Sequence, residues 1–173
     1  MKKAFVFLIV SLCSMAVSAQ TAEQDAPYKK DPTIPAFNIL LSDSTWYTAN
    51  MLPAADKYPY VVIMYFSPTC GHCQVAAKDI VTHMDSLRQV FFVFVSYNPP
   101  NEINEFSQVY GLNTLPNVRI GRDPRYFVPA FYRVESTPFT AVYDQKRRLI
   151  RVFDPPHNPA IEAVNLIPLV RKK

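Results

Sequence analysis

Glycine is scarce in this chain, with three residues among 173, and the scarcity removes several classes of function at once. No Gly-rich turn opens a helix to cradle a phosphate, so nucleotide and flavin motifs are absent, and no haem motif is present either. Neither sign of charge dominates. The chain sets 18 Lys and Arg against 14 Asp and Glu, a formal charge of +4, which is too even a balance to argue for nucleic acid as a partner. No apolar run is long enough for a membrane-spanning helix. Cysteine and histidine are limited to three residues each, and there is no internal repeat or low-complexity tract.

What the chain does have begins at its first residues. Met1-Lys2-Lys3 precedes an apolar stretch from Ala4 to Leu12 and a small-residue end at Val17-Ser18-Ala19, the pattern of a cleavable secretory signal. Residues 1–19 are expected to be removed, and Cys13 with them; Leu12 before it is a poor fit to a lipoprotein signal. Loss of Lys2 and Lys3 lowers the formal charge to +2. The 154 residues that follow suffice for one domain with a real core. An exported destination, a periplasm or cell envelope, is oxidising.

The cysteine pair that is left lies in Ser67-Pro68-Thr69-Cys70-Gly71-His72-Cys73-Gln74. The apolar run from Tyr60 to Phe66 stops there, and a helical pattern starts at the second cysteine. Cys70 is therefore predicted at a helix N-terminus, where unpaired N–H groups and the positive end of the helix dipole favour a thiolate. Thiolate is the attacking species, which makes Cys70 the nucleophile. Cys73, one turn further in, is placed to resolve a mixed disulfide. His72 favours the thiolate electrostatically, and Gly71 lets a partner's backbone approach. The competing readings are a structural disulfide, which would close too short a loop to staple a fold of this size, and half of a zinc site. Zinc wants four ligands, and only His83 and His157 are left to supply them. His83 falls ten residues past Cys73, on a different helix face.

Around this motif the chain reads as alternating elements. Gln20 to Ile34 is polar and proline-containing, a flexible lead. Pro35 to Leu41 and Thr45 to Thr48 suggest a small hairpin. Tyr60 to Phe66 and Val90 to Val95 are apolar throughout, as expected of parallel strands covered on both faces. Cys73, Ala77, Ile80, Met84 and Leu87 trace one face of a helix between them. Asn101 is expected to cap a helix carrying Ile103, Phe106 and Tyr110, with Gly111 ending it. Asn117 to Ile120 reads as an edge strand. Asp123-Pro124 offers a cap for a helix through Tyr132 that Pro129 must kink or shorten. Phe139 to Tyr143 and Leu149 to Phe153 form an antiparallel hairpin, and Asn158-Pro159 starts a last helix that Pro168 limits. Lys146-Arg147-Arg148 reads as a solvated turn and Arg171-Lys172-Lys173 as a frayed terminus.

This order of elements, the Cys70-Gly71-His72-Cys73 site after a buried strand, and Ser136-Thr137-Pro138 before the hairpin resemble the thioredoxin superfamily over Pro35 to the C-terminus. The resemblance implies an α/β fold, a three-layer α/β/α sandwich with a mixed central sheet and an N-terminal β-hairpin. With the signal peptide (1–19) and the flexible polar linker (20–34) read above, it leaves a thioredoxin-like domain over 35–173. It also implies a cis Thr137-Pro138 bond lying against the cysteines, with Pro138 shaping a substrate groove and the Thr137 backbone pairing with an extended client segment. The leading hairpin and the extra strand-helix unit look most like the TlpA-type branch of exported thiol-disulfide oxidoreductases. Peroxiredoxins share that topology, but their pattern needs a proline seven residues before the nucleophile, where this chain has Ile63; Ser67 fits the position three before.

Three positions depart from the thioredoxin pattern. Met64 stands where many members hold a buried acid, Thr69 where tryptophan precedes the first cysteine, and Lys78 where a proline kinks the helix. Slower resolution by Cys73 is expected from the first of these. The expected activity is reduction of disulfides in a client protein by dithiol exchange. Its redox apparatus is the Cys70-Cys73 disulfide with no other cofactor and no metal, supplied by a membrane thiol electron donor. The Gly71-His72 dipeptide is the one found in protein disulfide isomerases, so an isomerase or oxidase is the alternative. Two soft thiolates also suit Cu(I) handling, although copper carriers of this fold usually add a distant histidine. A peptide-binding module using the same groove without turnover is a third reading.

Overall fold

The structure is a computed structural model, and it describes residues 25–155, 157 and 160–171. The signal segment with Cys13 and the Asn158-Pro159 helix start lie outside the described residues. Strands β1 (Asn38–Leu40) and β2 (Trp46–Thr48) form the leading hairpin. Strands β3 (Tyr60–Tyr65), β4 (Val90–Ser96) and β5 (Val118–Arg122) run parallel, and β6 (Phe139–Tyr143) and β7 (Leu149–Phe153) return antiparallel beside β3. Together they make one mixed sheet in the order β2-β1-β5-β4-β3-β6-β7.

The helices are α1 (Pro27–Lys30), α2 (Gly71–Thr82), α3 (Met84–Leu87), α4 (Pro100–Val109), α5 (Phe127–Tyr132) and α6 (Ala163–Val170). Along β3 successive side chains enter opposite cores, Val62 and Met64 on one face and Val61 and Ile63 on the other, which is why the strand is apolar at every position. The first core takes Ala77 and Ile80 of α2, Ile103 and Phe106 of α4, and Leu166 and Val170 of α6. The second takes Val128 and Tyr132 of α5, with Tyr28 of α1 packed at its margin. This is the expected three-layer α/β/α sandwich with a leading hairpin.

Several local expectations are corrected. The lead from residue 25 onward is not a bare linker: it carries α1, buries Ala26, and the Pro32 carbonyl accepts from the Leu149 N–H at 2.7 Å. The helix after Cys73 does not run unbroken to Leu87, because His83 leaves the helical conformation and its ring sits 2.9 Å from the Asp79 carbonyl. Asn101 lies inside α4, which begins with Pro100 at a position where a missing N–H costs nothing. Gly111 follows that helix in the left-handed region, φ 70°, as expected of a helix-ending glycine.

Strand β5 is not an edge. Leu40 of β1 pairs with Arg122 on its outer side, and a side chain at Gly121 would meet the Leu40 carbonyl oxygen at 2.7 Å. Helix α5 starts only at Phe127, with Pro129 in its first turn. Asp123 is buried and its carboxylate accepts from the Val128 N–H at 2.7 Å. Arg147 is more than a solvated turn residue, since its guanidinium donates to the carbonyls of Pro53 at 2.7 Å and Tyr58 at 3.3 Å. Pro168 lies within α6, and the first N–H of that helix, from Ala163, is bound by the Asp79 carboxylate of α2 at 2.6 Å.

Candidate active site

Strand β3, inside the sheet between β4 and β6, leads into α2 through a tight turn. The Cys70 N–H donates to the Ser67 carbonyl at 3.1 Å, and the Ser67 and Thr69 hydroxyls stand 3.2 Å apart. Cys70 is the N-cap of α2: its backbone is extended, while its sulfur accepts from the Cys73 N–H at 3.3 Å. Both cysteines are free thiols. The sulfur of Cys70 also lies 3.3 Å from the Thr137 carbonyl oxygen, so the loop before β6 closes over it. The Thr137-Pro138 peptide is cis; Pro138 is buried and Thr137 half-buried. The neighbouring Ser136 hydroxyl donates to the Pro155 carbonyl.

The two thiols occupy opposite electrostatic situations. Partial burial pushes the Cys70 thiol up, but hydrogen bonds from the Cys73 and Thr137 side chains and from the Cys73 and His72 backbone outweigh it, so its pKa is lowered overall. The Thr137 carbonyl works the other way, because it accepts only from the protonated thiol. Cys73 is 0% exposed. Burial first, and then its hydrogen bond with Cys70, push it up to about 12. Met64 and Phe66 share its core, and Met64 is fully buried. That position therefore presents a thioether where a proton acceptor would assist Cys73.

The expected site residues thus come together: Cys70, Gly71, His72 and Cys73 on the first turn of α2, and Thr137 and Pro138 against the first sulfur. His72 and Gly71 are exposed, and His72 reaches Cys70 through its backbone N–H rather than its ring. A Cβ at Gly71 would meet nothing within 4 Å, which leaves the approach to Cys70 open. Thr69 and Lys78 are exposed. His83 and His157 are held elsewhere, at 3.1 Å from Asp79 and 3.3 Å from Asp154. Sequence reasoning did not place α4 here: its Glu102 and Glu105 line a cleft with Pro68 and Thr69 of the turn before Cys70, and two acids three apart on a helix without a basic residue were the visible signal.

No family model and no curated protein matches the chain. Solved structures do. A secreted Mycobacterium tuberculosis disulfide oxidoreductase homologous to E. coli DsbE is 17% identical with a TM-score of 0.61, over 77% of this chain and 92% of that one. A thioredoxin-like protein from Aeropyrum pernix is 14% identical, TM-score 0.56, over 70% and 82%. A peroxiredoxin-like protein from Aquifex aeolicus is 17% identical, TM-score 0.62, over 80% and 83%. At such identities the likeness speaks for the fold. The chain has the fold of the thioredoxin superfamily, as the resemblance implied.

Proposed function

We propose that the protein is an exported thiol-disulfide oxidoreductase that reduces disulfides in client proteins. The observation that carries this reading is the asymmetry of the pair: an accessible thiol of lowered pKa at a helix N-cap, one turn from a buried thiol held up to about 12. The Cys70 thiolate attacks a client disulfide, one client sulfur leaves as thiolate, and a Cys70-client disulfide forms. Cys73 then gives up its proton and attacks the Cys70 sulfur. The second client thiolate leaves, the Cys70-Cys73 disulfide forms, and two electrons have passed to the client. With Met64 beside Cys73, solvent or the departing client thiolate takes the proton. Gly71 leaves room for the client backbone, the His72 N–H helps hold the thiolate, and Thr137 with Pro138 positions the client segment.

The secretory pattern at residues 1–19 and the likeness to a secreted oxidoreductase support export. The hairpin β1–β2 and the extra β5–α5 unit support the reductase branch, in which a membrane thiol donor returns two electrons to the Cys70-Cys73 disulfide. The Gly71-His72 dipeptide favours the second reading, an isomerase or oxidase. The reduction potential of the couple decides between them, measured by equilibration with glutathione or dithiothreitol and thiol trapping. A value near or below about −250 mV is expected for the reductase, and one near about −180 mV or above assigns isomerase or oxidase work. A pair that forms no internal disulfide overturns both and leaves Cu(I) handling or binding without turnover. In the same assay Cys73→Ser accumulates the mixed disulfide and Cys70→Ser forms none.

A further inference from the structure

Between the turn before Cys70 and α4 opens a cleft of about 240 Å³. Pro68 and Thr69 form one wall, and Gln74 of α2 fixes it by donating its amide to the Pro68 carbonyl at 2.9 Å. Phe106 and Tyr110 line the α4 side with ring centroids 4.7 Å apart, and Phe106 rests on Phe66 at 4.6 Å. That lining is aromatic and braced from the core. Val109 completes it and is 68% exposed, so an apolar surface stands open beside the turn that leads into Cys70.

Two carboxylates line the same cleft. Glu102 and Glu105 lie one turn apart on α4, and no lysine, arginine or histidine lines it with them. Glu102 accepts from the Asn98 amide at 2.8 Å, and neither acid has a cationic partner among the described residues. An apolar pocket edged by unneutralised carboxylates complements an apolar side chain with a basic neighbour, and repels an acidic one. Thr69 adjoins Cys70 in the chain, so a client segment bound through its cysteine reaches the cleft with a residue about two or three positions away, at roughly 3.3 Å per extended residue.

We infer that this cleft selects clients whose reacting cysteine is flanked, two or three positions away, by an apolar residue adjacent to lysine or arginine. The inference rests on the reading of Cys70 as the attacking thiol. It assigns α4 a specificity role separate from the Thr137 backbone, which holds any extended segment alike.

The test uses the reduced protein and self-disulfides of short peptides. A central cysteine is flanked on both sides, two and three positions away, by leucine and lysine, by leucine and glutamate, or by serine and lysine. Each single-turnover second-order rate constant is divided by that with dithiothreitol, which removes the peptides' intrinsic differences. The leucine-lysine peptide is expected to exceed the leucine-glutamate peptide about tenfold, mainly through a lower half-saturating peptide concentration, and the serine-lysine peptide about fivefold. Salt at about 0.5 M compresses the first ratio. In E102Q/E105Q that ratio falls to about one, and Glu105→Lys reverses it. Equal normalised rates for all three peptides in the parent overturn the inference while leaving the exchange activity standing. A parent that reduces none of them, nor 2-hydroxyethyl disulfide, overturns the activity and this inference together.

Discussion

On the face of the sheet that carries α2, α4 and α6, the buried hydrophobic side chains are aliphatic residues, methionine, phenylalanine and the Cys73 thiol, with no tyrosine among them. On the opposite face, Tyr47, Tyr58, Tyr65, Tyr132 and Tyr143 are all buried. Three of their hydroxyls have close partners: Tyr132 and Tyr143 share a hydrogen bond at 2.5 Å, and Tyr47 donates to the Met51 carbonyl at 3.0 Å. Burial keeps the Tyr132 and Tyr143 phenols protonated. The difference teaches where a proton can go. The tyrosine face pairs its phenols with one another and with the backbone, while on the thiol face Cys73 is fully buried with its hydrogen bond to the Cys70 sulfur, and burial together with that bond holds its proton firmly.

Putting an acid on the thiol face is the strongest way to break that contrast. Met64→Asp is expected to cost about 3 kcal/mol or more of stability, as a carboxyl buried without a partner. It should also raise the rate of mixed-disulfide resolution near neutral pH at least about tenfold, by taking the Cys73 proton. Chemical denaturation and rapid-quench trapping read the two effects, and an unchanged resolution rate would show that solvent already suffices. On the other face, Tyr132→Phe or Tyr143→Phe leaves one buried hydroxyl unpaired and is expected to cost about 1–3 kcal/mol, the double variant less than the sum. Peptide reduction should be unchanged in all three, and additive costs in denaturation would mean that the two hydroxyls do not depend on each other.

The pH dependence of stability sharpens the same contrast. An unfolded chain gives up the Cys73 proton near the ordinary thiol value of about 8.5, whereas the folded chain keeps it up to about 12. The folded state therefore binds more protons between those values, so this stabilisation is complete below about 8.5 and is lost as pH rises towards about 12. Denaturation midpoints of the reduced protein at increasing alkaline pH should fall more steeply in the parent than in Cys73→Ala; parallel curves would place the Cys73 thiol in contact with solvent. The smallest effect belongs to Thr140, opposite Met64 in the sheet, whose buried hydroxyl has no hydrogen-bond partner among the described residues. Thr140→Val should stabilise by up to about 1 kcal/mol in thermal or denaturant unfolding. A loss of similar size would mean that the hydroxyl is solvated within the core.

The site was legible in the sequence because its signals are local. A run of apolar residues ending in a turn, followed by a cysteine pair at helical spacing, fixes strand, cap and helix within about fifteen positions, and Thr137-Pro138 marks the second component. The missed features depend on distant partners. Nothing near Arg147 announces that its guanidinium binds the carbonyls of Pro53 and Tyr58, and nothing in the polar lead announces that Tyr28 packs against Tyr132 at 5.7 Å. The inner position of β5 follows from one antiparallel contact with Leu40, eighty-two residues earlier than Arg122. Proline misled at helix starts for a different reason: Pro100 and Pro129 are accommodated in first turns, where the absent N–H has no intrahelical partner to lose.

The unequal exposure of the two thiols also makes the molecule a gauge of its own opening. In the reduced protein an alkylating reagent meets Cys70 at the surface, but reaches Cys73 only when α2 lifts from the sheet. With Cys70 blocked beforehand, the rate at which the second thiol becomes labelled counts those excursions, and its dependence on denaturant separates a local fraying of α2 from the opening of the whole domain.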